Sequence, residues 1–159
     1  MNSDLISLAS AISTARVLCV GDIMLDRFVN GEVTRISPEA PVPILRVKNE
    51  RMMLGGVGNV ARNVAALGGQ VTLVTLTGQD AAGDEINTAL TNLISVKAEL
   101  VRDTSRQTAV KTRFIANTQQ ILRTDEEVFC SISDEVGEEL LLKAEAVMSQ
   151  HQVVILSDY

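Results

Sequence analysis

Three clusters in this sequence combine residue types and spacings that suit chemistry on a hydroxylated or anionic small molecule. The first is Gly55-Gly56-Val57-Gly58-Asn59. Glycines let backbone approach a ligand closely. An amide just behind them, beside the free N–H groups of a helix start, suits a polyol or an anion. Asn is equally a helix-capping residue, and spacing leaves both roles open. The second cluster is Asp22 and Asp26, just past the apolar run that ends at Gly21. Two carboxylates there suit a metal or hydroxyl donors; a helix cap and a solvated turn are the ordinary alternative. The third is Lys111, Arg113 and Arg123 with Asp125. Arg as a planar fork and Lys as a point charge suit a phosphate; a solvated cationic face is the ordinary alternative.

The elements that must position these residues read as alternating α/β. Arg16 to Ile23 is a continuous apolar run ending in glycine, which predicts a central parallel strand. Ligands in open α/β sheets gather at the carboxyl ends of such strands. A glycine turn at Gly55–Gly58 opens a helix with Val60, Val64 and Leu67 on one stripe, stopped by Gly68 and Gly69. Val71, Leu73, Val74 and Leu76 predict a buried strand closed by Gly78. A helix follows to about Leu93, with Asp84 and Glu85 in its first turn as structural acids. Val96 to Val101 is a strand.

Residues 108–125 predict a hairpin around Asn117-Thr118. Lys111 and Arg113, two apart, share a face of its first strand; Gln119, Ile121, Arg123 and Asp125 share a face of its second. Ser133 opens a last helix to about Gln150, with Leu140, Leu141, Ala144 and Val147 inward, and an apolar strand from Val153 follows. Asp4 caps a first helix to about Ala15, with Leu5, Leu8, Ala9 and Ile12 on one face. Residues 27–50 break this rhythm. Two short strands, Arg27–Val33 and Ile44–Lys48, flank Pro38, Pro41 and Pro43, which forbid a helix. The segment is a surface hairpin or a lid that excludes water from a site.

Composition narrows the class. The chain has 159 residues, 46% of them apolar and 3% aromatic, which suits one aliphatic α/β core. A net charge of −6 without a basic run argues against nucleic acid as a partner. No apolar run has the length of a membrane span, and no positively charged start precedes an apolar run as in a signal peptide. A cytoplasmic protein is expected. Cys19 and Cys130 are expected as buried thiols in strand-like stretches, with no metal-ligand spacing, and His151, the only histidine, in a surface turn.

The run from Gly55 to Gly78, Gly-Gly-Val-Gly-Asn-Val-Ala with Gly68 and Gly78 at fixed distances, resembles the N-terminal signature of the ribokinase-like (PfkB) carbohydrate kinases. It is not a P-loop, because no Gly-Lys-Ser/Thr follows the glycines. Asp26-Arg-Phe, the Arg35-to-Pro43 block, Lys111-Thr-Arg113, Asn117-Thr-Gln-Gln, Arg123-Thr-Asp-Glu-Glu and Leu156-Ser-Asp-Tyr159 narrow the resemblance to the D-glycero-β-D-manno-heptose 7-phosphate kinase branch. It spans about Val17 to Tyr159.

The resemblance implies a ribokinase-like α/β fold, with a mostly parallel sheet flanked by helices and a small β lid at about 27–50 and 108–125. It also implies phosphate transfer from ATP with Mg²⁺ to C1 of heptose 7-phosphate, feeding ADP-heptose and the lipopolysaccharide core, in a homodimer joined by the lid. Asp26, five residues beyond Gly21, carries the family's hydroxyl-accepting role. Gly55, Gly56 and Asn59 hold the sugar, and Lys111, Arg113, Arg123 and Asp125 join the substrate site. The family's Gly-Ala-Gly-Asp anion hole and catalytic base have no match here. Residues 1–159 are thus expected to be the substrate-binding half of one kinase domain, without the nucleotide half and unable to transfer phosphate alone. A non-catalytic sugar-phosphate-binding module or an inactive fragment is the alternative.

Overall fold

The computed structural model describes Ser7 and residues 10–159. The expected contacts of Asp4, Leu5, Leu8 and Ala9 in a first helix lie outside the described residues. The described residues build two four-stranded sheets. Strands β1 (Arg16–Gly21), β4 (Gln70–Gly78), β5 (Val96–Asp103) and β8 (Val153–Ser157) form an all-parallel sheet in the order β5-β4-β1-β8. Strands β2 (Ile23–Ile36), β3 (Pro43–Gly56), β6 (Val110–Ala116) and β7 (Gln119–Glu126) form the second, in the order β3-β2-β6-β7. Helices α1 (Val57–Ala66), α2 (Ala81–Thr91) and α3 (Asp134–Met148) pack on the sheets.

The main core joins both sheets to α1 and α2. Cys19, Leu25, Val57, Ala61, Leu73 and Ile86 are fully buried in it. Each large side chain buried this way stabilises by about 1.5–3 kcal/mol. Burial also pushes the Cys19 thiol up to about 11, which leaves it inert at neutral pH. The opposite face of the parallel sheet carries a smaller cluster of Leu18, Val74 and Ala144, covered by α3. There Leu140 and Val147 pack partly inward, but Leu141 is exposed, against the sequence expectation. Among the described residues strand β8 pairs only with β1, and its Val153, Val154 and Leu156 are exposed. Its Ile155 packs against the main core while Val154 and Leu156 on the other face are exposed, a difference that hydropathy alone does not show.

Several boundaries differ from expectation. The two short lid strands are 14-residue strands, paired antiparallel from Ile23↔Gly56 to Ile36↔Pro43. The prolines occupy only the tip, where the Ser37 N–H donates to the Val42 carbonyl at 2.9 Å. Gly55 and Gly56 therefore end a strand, and α1 starts at Val57 without a glycine turn between. The buried residues of α1 are Val57, Gly58 and Ala61, whereas Leu67 is exposed. Cys130 is also exposed, between β7 and α3. His151 follows α3, with its ring nitrogens 2.7 Å from the Val147 carbonyl and 2.8 Å from the Thr72 hydroxyl.

Two local features give direct tests. Gly137 lies inside α3, and a methyl there would meet nothing nearer than Ile132 Cδ1 at 3.5 Å. Gly137→Ala is expected to stabilise by about 0.5–1 kcal/mol, read as a rise in the thermal midpoint. Asp80 caps α2, accepting from the Gly83 N–H at 2.8 Å and from the Thr108 N–H and hydroxyl at 2.8 and 2.7 Å. Burial pushes its carboxyl up, but these bonds outweigh that and hold it below the usual range. A depressed folded value means the contribution is present above about pH 3.9 and is lost as pH falls through the folded value. Asp80→Asn is expected to flatten this acid limb in pH-dependent unfolding; an unchanged limb would exclude the role.

Candidate functional site

The strand register of the second sheet sorts its residues onto two faces, because partners across a rung point the same way and residues two apart share a face. Leu25 and Val29 of β2 face the core, and Arg27 between them donates to Glu85 of α2 at 2.6 Å. The even-numbered residues of β2 face away. The first rung on that open face is Met24 with Gly55. The next is Met53, Asp26, Lys111 and Asp125; the third is Arg51, Phe28, Arg113 and Arg123. A rung with two carboxylates thus lies beside a rung with three guanidiniums.

Each charged group has a definite setting. Asp26 packs on Gly55, where a Cβ would fall 2.6 Å from Oδ2. Its Oδ1 holds Arg113 Nη1 in an ion pair. Lys111 is 2% exposed and donates to Asp125 at 3.1 Å and Glu127 at 2.9 Å. Burial lowers the Lys111 pKa, but the bonds to Glu127 and Asp125 outweigh it, so the ammonium stands above its ordinary value. Burial likewise raises Asp125, while Lys111 and Arg123 pull it below the usual carboxylate range. Arg123 Nε lies 2.9 Å from Asp125 Oδ1. The cations expected for a phosphate are therefore on one face, but each already holds a carboxylate.

Asn59 does not cap α1. The N-cap is Gly56, at φ 56°, with no side-chain cap bond. The amide oxygen of Asn59 instead accepts from Arg62 Nη2 at 2.8 Å. Asp22 sits at the β1–β2 junction, where its carbonyl accepts the Val57 N–H at 2.8 Å and its carboxylate the Tyr159 N–H at 3.2 Å. A cavity of about 260 Å³ opens at the carboxyl ends of β1 and β4, bordered by Asp22, Met24, Gly78, Thr108, Glu127 and Tyr159. Neither Asp26 nor Asn59 borders it. The Tyr159 ring lies 5.4 Å from Lys111 Nζ.

Three residues of this face escape sequence reasoning. Phe28 stands between Arg51 and Arg113, with ring-to-guanidinium distances of 5.1 and 5.3 Å. Glu127 is the second acid on Lys111. The available signal was the two-residue alternation of β2 and of residues 123–127, but Arg51 becomes visible only through the β2–β3 register.

Residues 14–158 match the profile described as pfkB family carbohydrate kinase. The chain belongs to the pfkB family. It is 45% identical over 155 residues to the bifunctional protein HldE of Rhodospirillum rubrum, covering 98% of this chain and 31% of that protein. It is 47% identical to the bifunctional protein HldE of Caulobacter sp. strain K31, covering 100% of this chain and 32% of that protein. The chain thus spans about a third of the length of these curated relatives. Among solved structures, phosphofructokinase-2 from Escherichia coli in complex with fructose-6-phosphate superposes with a TM-score of 0.66 at 22% identity, over 91% of this chain and 45% of that one. A carbohydrate kinase from Agrobacterium tumefaciens gives 0.65 at 20% identity, over 90% and 45%. These structures establish the pfkB-family α/β fold.

The donor set does not fit Mg²⁺. Asp22 and Asp26 are engaged separately by Tyr159 and Arg113, and no group of three or more His, Cys, Asp or Glu among the described residues is placed to hold a metal. No helix among the described residues is long and apolar enough to cross a membrane.

Proposed function

We propose that this chain is the substrate-recognition part of a pfkB-family sugar kinase acting on D-glycero-D-manno-heptose 7-phosphate. The observation that carries the reading is the pair of rungs on the open face: a carboxylate seated on Gly55, and a row of guanidiniums two residues farther along the strands. Two residues of strand span about 6.6–6.8 Å. A sugar that carries both hydroxyls and a phosphate offers a partner to each of these neighbouring rungs, whose Asp26 and Arg113 side chains meet in an ion pair.

In this reading Asp26 accepts hydrogen bonds from the sugar hydroxyls, since a carboxylate is a strong acceptor-only partner. Gly55 and Gly56 let the sugar lie close to backbone, and Asn59 offers its amide at the start of α1. Arg113 and Arg123 receive the phosphate. Lys111 and Asp125 order the wall between them. The 42–47% identity to proteins named HldE supports the heptose assignment, as does the Arg35–Pro43 block.

ATP, with Mg²⁺, is the donor assigned by family. We place the residues that hold them outside this set and expect no phosphate transfer by residues 1–159 alone. The reading puts the protein in the cytoplasm, in ADP-heptose supply for lipopolysaccharide, as a homodimer through the lid. The exposed Ile36, Val42 and Val47 near the lid tip support that contact.

Calorimetric titration with heptose 7-phosphate tests recognition: saturable binding at one site per chain is expected, and no binding would overturn the proposal. Turnover of ATP by residues 1–159 with the sugar phosphate present would refute the expected lack of transfer.

A further inference from the structure

The two groups assigned to the two ends of the sugar phosphate hold each other in the structure. Asp26 is paired with Arg113, and the side chains are only 19% and 23% exposed. Lys111 is bound by Asp125 and Glu127, and Arg123 by Asp125. Asp26 lies against Gly55, and the Phe28 ring stands beside Arg113 at 5.3 Å. Removing one partner from a half-buried ion pair leaves the other charge uncompensated, which is the costly way to break it. A ligand with hydroxyls alone would engage Asp26 and strand Arg113. An inorganic anion would engage Arg113 and strand Asp26. A ligand that carries both replaces both halves together.

We propose that the Asp26–Arg113 pair is a selector, opened only by a sugar that brings a phosphate for Arg113 together with hydroxyls for Asp26. The selector rests on the sugar-phosphate reading above and adds to it an origin of discrimination against the unphosphorylated sugar. It goes beyond contact between Arg113 and phosphate, because Arg113 then also closes the site to incomplete ligands.

The test uses the full-length protein, Arg113→Gln, Arg113→Lys and Asp26→Asn, titrated with the sugar phosphate, the same sugar without phosphate, and inorganic phosphate. Arg113→Gln is expected to weaken sugar-phosphate binding and, because Asp26 is released, to tighten binding of the unphosphorylated sugar at least about tenfold. Arg113→Lys, which keeps the charge, should retain the discrimination. Asp26→Asn should tighten inorganic phosphate by a similar factor, and this arm decides if Arg113→Gln fails to fold. If Arg113→Gln binds the unphosphorylated sugar no better than the parent, the selector is wrong while the sugar-phosphate reading stands. If the parent protein binds no sugar phosphate, both fall.

Discussion

Alanine at Gly56 is expected to lower the unfolding midpoint by about 6–12 °C, the equivalent of about 3 kcal/mol in a chain of this size. Gly56 has φ 56° and ψ −135°, a region that residues with a side chain rarely occupy. A Cβ there would also fall 2.2 Å from the Asp22 carbonyl oxygen. That oxygen cannot retreat freely. It accepts the Val57 N–H that starts α1, and the Asp22 N–H donates to Ser157 of β8 at 3.1 Å. One methyl therefore presses on the point where both sheets and α1 meet. Thermal denaturation followed by circular dichroism checks this, with Gly137→Ala as the control that should move the midpoint upward. A change of less than about 1 °C at Gly56 would show that the junction yields more easily than its contacts imply.

Under the proposed sugar-phosphate kinase function, asparagine at Asp26 is expected to lower kcat/KM for the sugar phosphate on the order of 100-fold in the full-length protein, from the loss of about 3 kcal/mol in charged hydrogen bonds. Asn keeps the shape but has one acceptor oxygen and no charge. Its amide would also point a donor at either the sugar hydroxyls or Arg113. Because the Asp26 carboxylate lies against Gly55 on the open face, the substitution acts where the ligand would lie. Steady-state kinetics at saturating ATP provides the measurement. Retention of more than about half the parental kcat/KM would remove Asp26 from the site.

The alternating α/β order was legible because its signals are local. Apolar runs ending in glycine mark β1 and β4, and Asn117 at φ 55° marks the hairpin turn. The length of β2 and β3 was not legible. Polar residues such as Asn30 and Asn49 sit in those strands because one face is open to solvent, so hydropathy fades where pairing continues. The outward Leu141 and the exposed β8 misled for the converse reason, since an apolar residue does not state which layer covers it. At the site, Asp26 and the hairpin cations could be found one strand at a time. Their pairing into ion pairs could not, because Asp26 and Arg113 are 87 residues apart and meet only through the β2–β6 register.

Tyr159 gives the molecule a built-in optical reporter. The chain has one tyrosine and no tryptophan, so a single ring carries its phenol emission. That ring stands over the Lys111 ammonium, at the border between the cavity and the charged rungs. In residues 1–159, occupancy there can be followed by intrinsic fluorescence without attaching a dye, and any quenching would be traceable to one known position.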